Sequence, residues 1–183
     1  NQINNKEVNE EEVLTFYSNS IFRLNTMNSV AAGNVLYLAP IMETVTSQKI
    51  LSDIITNKGM LLAQLYLYME TGGQNRSLLN NVYQYQDMLA SYVQEFRMKA
   101  PSKWVNAFNA VRQDTTARET MGIEQRFRTN PAMDTAISPA HYWEISTRTV
   151  NRYKDIQNSM MAEGRHGAND IYEKERRQQT LSL

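Results

Sequence analysis

Hydrophobic residues recur every three or four positions along most of the chain, which is the spacing of one face of an α-helix. The clearest stripe lies between Gly72-Gly73 and Pro101 and steps by 4, 3, 4, 3 and 4 residues: Leu78, Val82, Tyr85, Leu89, Tyr92 and Phe96. A second stripe lies within 41–68: Leu51, Ile54, Leu61, Leu65 and Tyr68. Because glycine commonly follows a helix C-terminus, Gly72-Gly73 predicts the end of the upstream helix and an antiparallel hairpin.

Two further segments also have helical spacing. One covers 7–30, and the other begins after Pro101, with Ser102 as a candidate cap, and continues toward Arg128. Asn130-Pro131 then predicts a break, since the residue before proline disfavours helical backbone. The alternation in 65–68 would also fit a strand, but its flanks keep the helical period and no partner strand is evident.

The last helix has the strongest start signal in the chain. Ser138 suits the cap and Pro139 the first helical position, and no later proline interrupts the sequence before Leu183. At 1.5 Å per residue this helix would be roughly 65 Å long, which exceeds the height of a small bundle. Its final part is nearly all polar. We therefore predict an all-α protein, an antiparallel helical bundle with long N- and C-terminal stalk helices.

Composition places the 183 residues in one globular domain, with 42% hydrophobic and 21% charged residues. Nineteen basic residues balance nineteen acidic ones, so no overall positive charge favours a nucleic-acid partner. The chain contains no cysteine, which excludes disulfides and thiolate chemistry. It begins at Asn1 and its longest charge-free run, 24–42, is too polar to span a bilayer. We expect a fragment excised from a longer protein.

Catalytic and metal-binding motifs are not evident in the sequence. It contains no glycine-rich phosphate loop, no Gly-x-Ser-x-Gly and no His-Glu-x-x-His. His141 and Glu144 would supply at most two ligands on one helix face, whereas a zinc site needs three or four. We predict no enzymatic activity, no catalytic residues, no metal site and no cofactor.

Basic residues beside apolar stripes are the best candidates for binding. Lys58 lies on the seam of the 41–68 helix, where burial of a charge is costly unless a partner compensates it. Alternatively, its aliphatic stem packs while the ammonium reaches solvent. On the last helix, Arg148 and Arg152 lie one turn apart at the edge of the predicted buried arc and could bind a planar oxyanion. Intrahelical pairs with Glu144 and Asp155 would explain the same arginines.

One segment of the last helix resembles the nitrate- and nitrite-sensing family of extracytoplasmic domains in bacterial chemoreceptors. The resemblance is carried by Ile137-Ser-Pro-Ala-His-Tyr-Trp-Glu-Ile-Ser-Thr-Arg-Thr-Val-Asn151. Weaker similarity covers Leu14-Thr-Phe-Tyr-Ser18 and the helix containing Gly59 and Ala63. Family members often carry Glu-Arg after the helix glycine, whereas this chain has Leu61-Leu62.

The resemblance implies an all-helical sensor between two transmembrane helices, with arginines converging on nitrate or nitrite. The hypothesis is that Arg148 and Arg118 contact a small anion and that Thr147, Lys58 and Arg126 support them. We further expect a homodimer on the periplasmic side of the bacterial inner membrane, acting in chemotaxis-like signal transduction. Two alternatives remain open: a helical sensor for a small organic ligand, and a ligand-free structural or coiled-coil interaction domain.

Overall fold

The structure, a computed structural model, describes residues 39–130 and 137–181. These residues form five helices and no strand, which confirms the predicted all-α class. The helices are α1 (Ala39–Glu70), α2 (Arg76–Lys99), α3 (Ser102–Gln113), α4 (Thr115–Thr129) and α5 (Pro139–Leu181). The predicted helix over 7–30 lies outside the described residues.

The hairpin of α1 and α2 forms at the glycine pair, as predicted. Gly72 and Gly73 have φ angles of 75° and 71°, a left-handed conformation that glycine adopts without steric cost. The amide of Gly73 donates to the carbonyl of Tyr68 at 2.9 Å, which closes the end of α1. Asn75 then caps α2 by accepting hydrogen bonds from two backbone amides of its first turn. Residues 65–68 are helical, so the strand alternative is wrong.

The segment after Pro101 differs from the prediction, because one expected helix is two. The backbone breaks at Asp114, whose carboxylate accepts a hydrogen bond from the amide of Thr116 at 3.0 Å and caps α4. An aspartate followed by two threonines competes with the helix interior by bonding nearby backbone amides. This local competition ends α3 at Gln113 and starts α4 at Thr115.

Helix α5 begins as predicted and runs antiparallel to α1. The amide of His141 donates to the Ser138 hydroxyl at 3.3 Å, so Ser138 caps the helix. Near Gly164 the two helices lie close enough that a Cβ there would be in ordinary contact with Gln48 and Thr44. Beyond this point the described side chains of α5 are almost all exposed. The first half of α5 therefore packs in the bundle and its end extends away from it.

The buried hydrophobic residues form two clusters along the bundle axis. One joins the start of α1 to the end of α2, to α3 and to the middle of α5, around Phe96, Phe108 and Tyr153. The other joins the end of α1 to the start of α2, to α4 and to the start of α5, around Leu65 and Tyr142. Buried positions occur on every side of α1 between 50 and 69, so this helix is the centre of the fold. Polar residues lie between the two clusters.

Candidate functional site

A buried ion pair occupies the level between the two hydrophobic clusters. The Nζ atom of Lys58 on α1 lies 2.6 Å from both carboxylate oxygens of Glu124 on α4. The two side chains are only 3% and 8% exposed. Lys58 therefore does not extend to solvent, and the alternative in which its ammonium is hydrated at the surface is wrong.

Glu124 is also held by two uncharged side chains. The hydroxyl of Tyr142 donates to its carboxylate at 3.0 Å, and the side-chain amide of Gln86 donates to its backbone carbonyl at 2.9 Å. Burial, together with the negative charge of Glu124, raises the pKa of Tyr142 well above its usual value. The phenol thus stays protonated at neutral pH and remains a donor. These hydrogen bonds join the ion pair between α1 and α4 to α2 and α5.

A cleft of about 840 Å³ leads from the surface to this ion pair. It lies between α2 on one side and the α3–α4 pair on the other. Its floor is formed by Ile54, Lys58 and Leu61, which share one face of α1, and by Tyr153 of α5. Apolar positions of the walls include Leu89 and Val93. The cleft is open to solvent and combines apolar residues with charged and amide side chains, a combination that can both bury and orient a ligand.

Side-chain bridges cross the cleft at both ends. At one end Arg128 of α4 pairs with Asp87 of α2 at 2.7 Å. At the other end the guanidinium of Arg97 on α2 donates to the side-chain oxygen of Asn109 on α3 at 3.1 and 3.3 Å. Asp87 and Arg97 are ten positions apart on α2, so the two bridges are separated by roughly 15 Å.

Two arginines lie at the Arg97 end, and neither pairs with a carboxylate among the described residues. Arg97 is bound by the neutral amide of Asn109, and the guanidinium of Arg112 lies 5.9 Å from the ring centre of Phe108. Both guanidiniums are near Tyr153: burial raises the pKa of its phenol, and the positive charges of Arg112 and Arg97 oppose that shift. The cleft therefore has a cationic end beside a phenol.

The three arginines proposed from the sequence lie elsewhere. Arg148 is on the exposed face of α5, with a side chain 62% exposed, and pairs with Glu144 one turn earlier. This intrahelical pair is one that the sequence indicated as an alternative. Arg118 and Arg126 are exposed on α4, and none of the three lines either of the two cavities described in this section.

The neighbouring arginine of α5 has a different partner from the one expected. Arg152 pairs with Asp114, the residue between α3 and α4, at 2.7 Å, and not with Asp155. The hydrogen bond from Arg152 lowers the pKa of the Asp114 carboxyl. The pair therefore ties the start of α4 to the middle of α5.

Of the remaining predicted residues, Lys58 lines the large cleft and Thr147 lines a separate small cavity of about 40 Å³. The small cavity lies between Gly59 of α1 and Trp143 of α5, and its volume suits at most a few water molecules. The five residues proposed from the sequence are thus not gathered in one cavity.

Four residues of the cleft were not identified from the sequence. Glu124 is 66 positions from Lys58, and local periodicity contains no information about such a pairing. Arg97 and Arg112 directly follow the buried residues Phe96 and Val111, a position at the edge of an apolar stripe that could have marked them. Tyr153 is a buried residue of α5, and its helical spacing did not mark it as part of a cleft floor.

Within residues 39–130 and 137–181, no group of three or more side chains that could hold a metal ion is present. None of the helices described there has the length and hydropathy needed to cross a bilayer.

Comparisons with protein-family models, curated proteins and solved structures found no match for the chain. The resemblance to the nitrate- and nitrite-sensing family stays a prediction.

Proposed function

We propose that this chain is the ligand-sensing domain of a bacterial receptor and that its ligand binds in the cleft between α2 and the α3–α4 pair. The observation that carries the proposal is the cleft of about 840 Å³, which is lined by residues of all five described helices and reaches the interior of the bundle. In this proposal the domain catalyses no reaction. It acts as a homodimer on the periplasmic side of the inner membrane, between two transmembrane helices.

The size of the cleft favours an organic ligand over nitrate or nitrite. Sites for drug-sized molecules typically measure about 300–1,000 Å³, a range that includes this cleft. Nitrate has four atoms and would leave most of the space to water. The exposed pair of Arg148 and Glu144 does not provide the desolvated cation that would bind so small an anion tightly. Of the two ligand classes expected from the sequence, the organic one is the better supported.

Signal transmission follows from the composition of the cleft floor. Tyr153 contacts the cleft and lies on α5, the helix whose end extends beyond the bundle. A ligand that draws α2 toward α3–α4 would favour one of two packing arrangements of these helices against Tyr153. Helix α5 would then transmit the shift to its end beyond the bundle. Helix shifts of roughly 1–2 Å are typical of allosteric transitions.

Ligand binding can be tested by blocking the cleft. Ala90 lines the cleft at an exposed position of α2, so Ala90→Trp would fill it without disturbing the core. Ala110→Trp, at an exposed position of α3 outside the cleft lining, is the matched control. In a thermal-shift screen of small organic acids, amines and sugars, we expect compounds that raise the Tm of the native and Ala110→Trp proteins but not of Ala90→Trp. A screen without such a compound would favour a ligand-free interaction domain.

Sensing requires movement of α5 as well as binding. The chain contains no cysteine, so Lys99→Cys and Tyr172→Cys, both exposed, can be spin-labelled as a single pair. A compound found in the screen should shift the distance distribution between these labels, which report α2 and the end of α5. Binding with an unchanged distribution would argue for a binding module that does not signal.

A further inference from the structure

We infer that the ligand is a carboxylate with an apolar body, and that Arg97 and Arg112 bind its carboxylate above the hydroxyl of Tyr153. This inference rests on the proposed function and assigns the ligand class of the same cleft. It is carried by the charge balance of the lining, by the way the two arginines are held, and by the apolar surface beside them.

The lining contains more positive than negative charge. Its cationic residues are Lys58, Arg97, Arg112 and Arg128, and its anionic residues are Asp87 and Glu124. Each carboxylate already pairs with one cation, Glu124 with Lys58 and Asp87 with Arg128. The two remaining cations are both at one end of the cleft. An anion bound there would be attracted without having to displace an existing carboxylate.

Neutral partners hold these two arginines in place. The amide of Asn109 fixes Arg97 without neutralising it, and the ring of Phe108 lies beside the Arg112 guanidinium. Phe108 is itself fixed, because its ring stacks on Tyr153 at 5.0 Å between centroids and packs against Phe96 at 5.1 Å. Arg112 also donates a hydrogen bond to the hydroxyl of Tyr153. Neither guanidinium is therefore neutralised by a described carboxylate, and each has more N–H groups than these partners occupy. Two such planar groups suit the two oxygens of one carboxylate.

Tyr153 adds an uncharged donor at the same place. Burial raises the pKa of its phenol, so the hydroxyl stays protonated at neutral pH and can donate to an anion. From this end the cleft continues for roughly 15 Å along α2 past Val93 and Leu89. A ligand with only a charged head would leave this apolar surface in water. The combination selects a molecule with a carboxylate at one end and an apolar chain or ring at the other.

The test uses octanoate as the carboxylate, with octan-1-ol as its uncharged match and sodium nitrate as the small anion. Isothermal titration calorimetry on the native protein should give binding of octanoate and much weaker binding of octan-1-ol and nitrate. In Arg112→Gln the Kd for octanoate should rise about tenfold or more, because a charge-assisted hydrogen bond is lost. Arg118→Gln, which removes an exposed arginine outside the cleft lining, should bind as the native protein does.

Several outcomes would overturn the inference. Equal binding of octanoate by native and Arg112→Gln proteins would exclude the arginine clamp, and equal binding of octan-1-ol would exclude a charged head. Binding of nitrate in preference to octanoate would point to an inorganic anion. If Ala90→Trp abolishes octanoate binding while Arg112→Gln leaves it intact, the cleft is a ligand site and only the clamp is wrong. Octanoate binding that survives both substitutions would contradict the proposed function as well.

Discussion

Lys58 and Arg112 are cations of the same cleft, yet their surroundings differ. Lys58 lies at the buried floor and is bound by both oxygens of Glu124, so its charge is compensated inside the protein. Arg112 is only partly buried and lies beside an aromatic ring, with no carboxylate partner among the described residues. The charge of Lys58 thus has a partner within the fold, whereas the charge of Arg112 has no described carboxylate and could bind a ligand. Substitutions at the two places should therefore affect different properties.

The largest expected effect is on stability at the buried pair. Glu124→Leu leaves the Lys58 ammonium buried without a partner and should lower the free energy of unfolding by about 3–5 kcal/mol. Replacing both partners, in Lys58→Met/Glu124→Leu, should recover most of this loss, because buried ion pairs are often no more stabilising than hydrophobic residues of similar volume. Urea denaturation of the three proteins measures the difference. A double variant as unstable as Glu124→Leu would show that the charge of Lys58 was not the cause.

A smaller effect is expected at the third member of the network. Tyr142→Phe removes the hydroxyl that donates to the Glu124 carboxylate and should cost about 1.5–3 kcal/mol. In the Lys58→Met/Glu124→Leu background the same substitution should be neutral or stabilising, since the hydroxyl then has no acceptor on residue 124. Tyr172→Phe, at an exposed position of α5, is the control. Equal losses in both backgrounds would indicate that packing and not the hydrogen bond is responsible.

The surface pair of Asp114 and Arg152 provides an intermediate case, and its effect depends on pH. The hydrogen bond from Arg152 lowers the pKa of Asp114 in the folded protein below its usual value of 3.8. A carboxyl with a lowered folded pKa contributes stability above its unfolded pKa and loses that contribution as the pH falls through the folded pKa. The native protein should therefore be slightly more stable than Asp114→Asn at pH 7, and the two should converge below about pH 4. Thermal unfolding between pH 3 and 7 would measure this, and a constant difference would contradict it.

The smallest effect on stability is expected at the cationic end of the cleft. Arg112→Gln removes a charge whose described contacts are with the ring of Phe108 and the hydroxyl of Tyr153, so the free energy of unfolding should change by no more than about 1 kcal/mol. Urea denaturation measures this change in the free energy of unfolding. A loss as large as that of Glu124→Leu would mean that Arg112 is a structural cation. It would then not differ from Lys58 in the way proposed.

Most of the fold could be predicted from local signals. The glycine pair at 72–73 and the Ser138-Pro139 start are each encoded within a few residues, and the structure confirms both. The break at Asp114 was missed because the apolar spacing continues on both sides of it. A single aspartate that caps a helix changes the direction of the chain without changing the hydrophobic period, so only its capping chemistry could have revealed the break.

The candidate site was less predictable, because it depends on how helices are arranged in space. The position of Lys58 on an apolar seam left a buried ammonium and a solvent-exposed one as alternatives, and the structure shows the buried one. Its partner could not be identified, since many carboxylates in the chain have suitable chemistry and only the packing of α4 on the bundle selects Glu124. The arginines at 97 and 112 come from different helices, so neither sequence neighbourhood contains evidence of the other. Fold class was thus fixed by nearby residues, and the cleft by distant ones.

The separation of Lys58 and Glu124 along the chain has a consequence for folding kinetics. The α1–α2 hairpin needs only the short connection 71–75, whereas the ion pair closes a loop of 66 positions. Contacts between near neighbours form before distant ones at lower entropic cost, so the hairpin should be present in the transition state while Lys58 is still hydrated. Val82→Ala should then slow refolding, and Glu124→Leu should mainly accelerate unfolding in stopped-flow measurements. If instead Glu124→Leu slows refolding, desolvation of the lysine belongs to the rate-limiting step.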